Sequence, residues 1–259
     1  MAATSPGPPV DTDDGIRQYS LTEILIVWAA AAVPMGLLAW VGAPLLREVL
    51  SGDERLIKAL FILLTAGLIW QFILVLILVR REQGSLSWPV LCGVLWLQSP
   101  RDPNSGRVGG RLWLWVIPFI LALALLQAIP LHLPASDSRD FAEFLDSDDG
   151  EEFFSGAWGW FALFVVLAIF NTILGEELLF RGVLLPRMQG VFGQRDWIAN
   201  AVIFGFYHLH FPWNIPNSIV SGLLYAYPTR RWRSAWMGII IHSAESVVIG
   251  AIILALVLD

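Results

Sequence analysis

The sequence predicts an all-α fold, a polytopic membrane helical bundle of about seven transmembrane or near-transmembrane helices. Three observations predict it. The chain is 56% hydrophobic and only 15% charged over 259 residues, where a soluble domain of this size carries about a quarter charged residues. Several apolar runs reach the roughly 20 residues an α-helix needs to cross a bilayer. Those runs are continuous rather than alternating, which argues against a β-barrel. The formal charge of −6 comes from acids concentrated in soluble patches. No basic cluster with interleaved aromatics points to nucleic acid. Cys92 is the single cysteine, so an intrachain disulfide is excluded.

Residues 1–20 carry Pro, Asp and Ser with little apolar content and read as a flexible cytoplasmic tail, ahead of one membrane domain at 21–259. Arg17 is their only base, and the apolar run that follows is too long for a signal peptide. Leu21 to Leu46 is the first span, kinked at Pro34 and Gly36, with Glu23 at headgroup level. Leu56 to Val79 is the second, stopped by Arg80 and Arg81. Ser85 to Leu97 is short of a full crossing and reads as interfacial or re-entrant. Leu112 to Leu133 is the third span, with Pro118 and Pro130 as irregularities and His132 at its exit. Residues 135–152 are acidic but lack the glycine and spacing of a calcium loop, so they read as a solvated face. Phe153 to Ile173 re-enters the membrane. Trp197 to Phe211 and Ile215 to Tyr227 are shorter segments, and Trp232 to Leu258 is the last span. There is no visible internal repeat.

Lys and Arg in the short loops predict the orientation. Arg80, Arg81, Arg101, Arg107 and Arg111 share a side with Arg187, Arg195, Arg230, Arg231 and Arg233, which puts the amino terminus in the cytoplasm. Arg47, Arg55 and Lys58 fall on the opposite side.

The stretch that carries chemistry is Asn171 to Met188, N-T-I-L-G-E-E-L-L-F-R-G-V-L-L-P-R-M. Ionised groups at membrane depth are costly, and mark a protein interior or a wet cavity. Glu177 and Arg181 are i and i+4, acid first, the favourable order for an ion pair. Glu176 stands about 100° round the helix, with Phe180 rather than a base at its own i+4. One carboxylate is thus neutralised in place and the other is left for chemistry. The competing reading is a polar packing cluster in which both acids serve Arg181. Two histidines lie on later segments, His208 in Phe-Gly-Phe-Tyr-His and His242 in Ile-Ile-Ile-His-Ser-Ala-Glu-Ser. His210 is the rival of His208; on one helix the two would diverge by about 200°, so a single one faces Glu176.

The ordered set E-E-x-x-x-R, F-x-x-x-H and H-x-x-x-polar resembles the CPBP family of intramembrane proteases. That family includes type II CAAX prenyl endopeptidases and bacteriocin-processing or immunity (ABI) homologues. The resemblance covers residues 153–259, the expected catalytic core. It implies an endopeptidase acting on a membrane-associated or prenylated peptide or protein, in the cytoplasmic membrane of a bacterium. Glu176 is then the general base, His208 and His242 polarise water or stabilise the oxyanion, and Glu177 with Arg181 holds the site. The family pattern also selects His208 over His210. One position departs from it: Ser246 stands where Asn or Asp is usual, with Glu245 at i+3 from His242 as a substitute orienting group. The resemblance leaves two cofactor readings open, a divalent metal such as zinc on Glu176, His208 and His242, or no metal. It also leaves a rival function, a catalytically weak scaffold or immunity protein that binds a membrane partner, which Ser246 favours. Other intramembrane chemistries lack their signatures. There is no H-E-x-x-H, no rhomboid-type G-x-S-G and no G-x-G-D. A transporter would need a second acid-bearing half, which the chain lacks.

Overall fold

The structure is a computed structural model that describes residues 15–129, 131, 133 and 139–259. Five helices are long and apolar enough to cross a membrane: Leu21–Arg47, Arg55–Gln83, Gly110–Gln127, Trp158–Arg187 and Ala235–Leu258. Two further helices, Asp196–Tyr207 and Ile215–Trp232, pack among them. With the short helices Trp88–Val94, Phe141–Leu145 and Asp148–Phe154, we label them in chain order α1 (Leu21–Arg47), α2 (Arg55–Gln83), α3 (Trp88–Val94), α4 (Gly110–Gln127), α5 (Phe141–Leu145), α6 (Asp148–Phe154), α7 (Trp158–Arg187), α8 (Asp196–Tyr207), α9 (Ile215–Trp232) and α10 (Ala235–Leu258). Among the described residues there is no strand, only an isolated bridge between Arg101 and Val108. The protein is an all-α polytopic membrane bundle.

α7 is the centre of this bundle. Every residue from Gly175 to Met188 is buried, as expected of a helix apolar nearly all round. α2 and α10 pack along it, and α9 closes the site end. α10 runs antiparallel to it: Gly238 lies against Glu177 and Arg181, Ser243 against Thr172, and Gly250 against Phe164. An aromatic satellite core of Phe61, Phe141, Phe154, Phe164 and Trp160 joins α2, α5 and α6 to the start of α7.

Local sequence explains how the ends and kinks are satisfied. Ser20 and Glu23 form a reciprocal capping box at the start of α1, and Glu23 also pairs with Arg17. Pro34 has no N–H to give the carbonyl of Ala30; the Trp70 indole of α2 donates to that carbonyl at 2.8 Å instead. A wide turn over Leu38–Gly42 follows. Gly84 (φ 66°) ends α2, its N–H bonding Arg80 O at 2.9 Å. Asp140 and Ser147 cap α5 and α6.

Several expectations are corrected. The tail predicted over residues 1–20 does not reach residue 20: Ile16, Gln18 and Tyr19 are buried. Tyr19 N–H donates to Arg187 O at 2.9 Å, and Gln18 bonds Pro186 O at 3.0 Å and Gly190 N–H at 3.0 Å. Residues 1–14, and with them most of the expected tail, lie outside the described residues, as do Pro130 and His132. The acidic segment contains α5 and α6, because its Phe residues supply an apolar face to the satellite core. Arg187, counted above as a loop charge, is buried and paired with Glu82 at 2.8 Å. The segment of Trp96–Arg101 docks on the α9–α10 turn, with Ala235 N–H on Trp96 O at 2.8 Å and Arg101 N–H on Trp232 O at 2.8 Å.

Candidate active site

The site begins with a departure from ordinary helix geometry. Over Phe170–Gly175 α7 closes i→i+5 bonds, and Glu176 N–H bonds Asn171 O. A second such stretch covers Leu178–Leu184. Wide turns of this kind cluster at functional sites. Gly175 makes the first one fit: a Cβ there would stand 2.5 Å from the Phe170 carbonyl oxygen and 3.0 Å from that of Leu68 on α2.

Glu176, His208, His242 and Ser246 line one cavity of about 290 Å³. Asn171, His210, Asn217, Tyr225 and Glu245 share its wall, and apolar residues of α2 and α7 such as Leu60, Leu64 and Leu167 complete it. Glu176 is buried, and its Oε2 has no hydrogen-bond partner. The Tyr207 hydroxyl, which accepts from Gln71 Nε2 at 2.6 Å, stands beside that carboxylate. Glu177 and Arg181 do not line the cavity; they lie behind it, fully buried.

Glu177 binds two partners through one oxygen. Its Oε1 is 3.0 Å from Arg181 Nη1 and 3.0 Å from His242 Nδ1. The Arg181 contact is an ion pair without an aligned hydrogen bond at Nη1. Arg181 also lies over the Phe204 ring, 4.1 Å from its centroid, and donates to Gly222 O at 3.3 Å. With a carboxylate accepting at Nδ1, that nitrogen of His242 carries the proton and Nε2 is the one left for substrate. His208 is fixed in the same way, its Nδ1 2.9 Å from Phe204 O. Tyr225 stacks on His242 with centroids 4.5 Å apart and planes 13° from parallel.

Sequence reasoning anticipated the Glu177–Arg181 pair and missed the reach of Glu177 to His242. It assigned the orienting role to Glu245, whose oxygens are instead held by Gln127 (2.6 Å) and Tyr225 (3.1 Å). Glu245 therefore reaches His242 only through the Tyr225 ring. The divergence expected between His208 and His210 is corrected too. α8 stops at Tyr207, so the two rings leave helical register and stack, centroids 5.3 Å apart, both on the cavity. Pro212, four residues on from His208, marks His210 as near the helix end in the sequence, and the helix stops earlier still, before His208.

Among the described residues, no group of three or more His, Cys, Asp or Glu is disposed to hold a metal ion. Glu176, His208 and His242 share a cavity without forming a ligand set.

The close approach of α10 to α7 gives a test. A Cβ on Gly238 would stand 2.6 Å from Glu177 Oε2 and 2.8 Å from Thr229 Oγ1. Gly238→Ala is expected to destabilise the protein by about 1–3 kcal/mol through overpacking and to displace the carboxylate that fixes His242. Thermal unfolding of purified protein reads it; an unchanged midpoint contradicts the close approach.

Residues 158–248 match the family model described as type II CAAX prenyl endopeptidase Rce1-like. No curated protein and no solved structure matches the chain. The matched segment runs from the start of α7 into α10 and contains Glu176, Glu177, Arg181, His208, His242 and Ser246. Over this segment, about a third of the chain, the protein is similar to type II CAAX prenyl endopeptidases, a likeness that supports membership of the CPBP family.

Proposed function

We propose that the protein hydrolyses a peptide bond in a membrane-associated or prenylated substrate, using water activated by Glu176. The observation that carries this reading is the cavity shared by a buried carboxylate with one oxygen unpartnered and two imidazoles whose Nδ1 atoms are already committed. Hydrolysis needs a base for water, donors for the oxyanion and a proton for the leaving amine. Glu176 takes a proton from water as its oxygen bonds to the scissile carbonyl carbon. His208, with its proton on Nδ1, accepts from that water at Nε2 and orients it, and the tetrahedral oxyanion is met by the Nε2–H of His242 once Glu177 holds that ring as the imidazolium. On collapse, the C–N bond breaks and Glu176 returns its proton to the leaving amine. Glu177 and Arg181 position His242 and touch no substrate. We infer a bacterial cytoplasmic membrane, with the amino terminus on the cytoplasmic side that the short-loop arginines favour.

The test is cleavage of a panel of prenylated and unmodified membrane peptides by purified protein in lipid bilayers, followed by mass spectrometry. Cleavage that Glu176→Gln abolishes supports the peptidase. A protein that binds panel peptides but cleaves none, wild type included, is the scaffold or immunity protein instead.

Ser246 gives a graded readout of the same assay. Ser246 lines the cavity one turn after His242. An amide aimed at a developing oxyanion is worth roughly 10²–10³ in rate, and a serine offers a shorter arm. Ser246→Asn is therefore expected to raise kcat, and Ser246→Ala to lower it. The reverse order would show that position 246 does not contact the reacting carbonyl.

A further inference from the structure

The hydrolytic scheme leaves two unbonded amides in the cavity wall without a task, Asn171 and Asn217. Asn171 lines the cavity with Glu176, His208, His242 and Ser246, and its side chain is half-buried. Among the described residues it bonds no other side chain or backbone group through that amide. A half-buried amide in an apolar span is costly unless something occupies its donors. Its placement follows from the wide turn. In a regular α-helix residues five apart diverge by about 140°; here the i→i+5 bond from Glu176 N–H to Asn171 O brings the two onto one side of α7. Gly175 is what permits that turn against α2.

The level of Asn171 along the bundle is fixed independently. Its neighbour Thr172 bonds Ser243, next to His242, at 3.0 Å. Since α7 and α10 are antiparallel, Asn171 stands level with the Ser243–Ser246 turn of α10. The other unbonded amide, Asn217, is eight residues before Tyr225 on α9, about 12 Å along the axis from the ring that stacks on His242. Asn171 is thus the free amide closest to both the base and the imidazole.

We propose that Asn171 is a catalytic residue that donates a side-chain amide N–H to the carbonyl oxygen of the scissile bond as it becomes an oxyanion. The proposal rests on the peptidase reading above. It makes Asn171 and Ser246 two donors at one level of facing helices, so an amide at either position serves the same oxygen.

The experiment is steady-state kinetics on the best-cleaved panel peptide, with wild type, Asn171→Ala, Asn171→Asp, Ser246→Asn and the double variant Asn171→Ala/Ser246→Asn. Asn171→Ala is expected to lower kcat by roughly 10²–10³ with KM nearly unchanged, because the contact forms only in the transition state. Asn171→Asp, similar in size but without a donor, falls equally. Ser246→Asn in the Asn171→Ala background restores at least tenfold. Folded yield and unfolding midpoint are read for each variant. Asn171→Ala with wild-type kcat, or loss confined to KM or to folded yield without rescue, overturns the proposal and leaves Glu176 hydrolysis standing. A wild type that cleaves no peptide overturns both.

Discussion

Glu177→Gln is expected to destabilise the protein by about 3–5 kcal/mol, the cost of removing one partner from a buried ion pair. Both Glu177 and Arg181 are fully buried, and the guanidinium has no other carboxylate at ion-pair distance among the described residues. The aromatic face of Phe204 and the Gly222 carbonyl stabilise the cation but do not neutralise it. The same substitution releases His242 Nδ1 from its charged acceptor. Loss of folded, monodisperse protein in detergent and a lowered unfolding midpoint measure the effect. Replacing both partners, Glu177→Gln with Arg181→Gln, is expected to recover part of that stability, since no bare charge then remains. A single variant as stable as wild type would show that Arg181 finds its counter-charge elsewhere.

How much of this was legible in the sequence depends on how local each feature is. Apolar runs announced α1, α2, α4, α7 and α10, because crossing a bilayer demands length and composition that a sequence displays directly. The Glu177–Arg181 pair was legible because one helix sets its spacing. The Glu177–His242 bond was not: its partners are 65 positions apart, and only the crossing of α7 and α10 brings them together. Gly238 is the sequence's trace of that crossing, since the carboxylate occupies the space of its missing side chain. Reading α7 with a uniform α-helical period hid the wide turn, and with it the alignment of Asn171 and Glu176. Gly175 immediately before the two acids was the available hint. The stacking of His208 on His210 was obscured for a related reason, as a helical wheel was applied beyond the true end of α8. The segment Ile16–Tyr19 has too few apolar residues to stand out, yet Ile16, Gln18 and Tyr19 are buried because the last turn of α7 offers carbonyls at Pro186 and Arg187.

Glu176→Gln is expected to separate chemistry from stability, and so to behave opposite to its neighbour. Glu176 balances no cation at ion-pair distance among the described residues, and its Oε2 is unpartnered. An isosteric amide therefore leaves no bare charge in the bundle, and the folded yield should match wild type within about 0.5–1 kcal/mol. What the amide cannot do is accept a proton from water. General-base assistance is worth roughly 10²–10⁴ in rate, or about 2.7–5.4 kcal/mol of the activation barrier. The loss should appear in kcat with KM little changed, because the cavity that holds the peptide keeps its shape. Peptide binding to the Glu176→Gln protein, measured by fluorescence in the same bilayers, should persist when cleavage has stopped. If Glu176→Gln and Glu177→Gln lose folded protein equally, the two acids are a packing pair around Arg181. If Glu176→Gln keeps full activity, the base lies elsewhere in the cavity, and Glu245 is the next carboxylate on its wall.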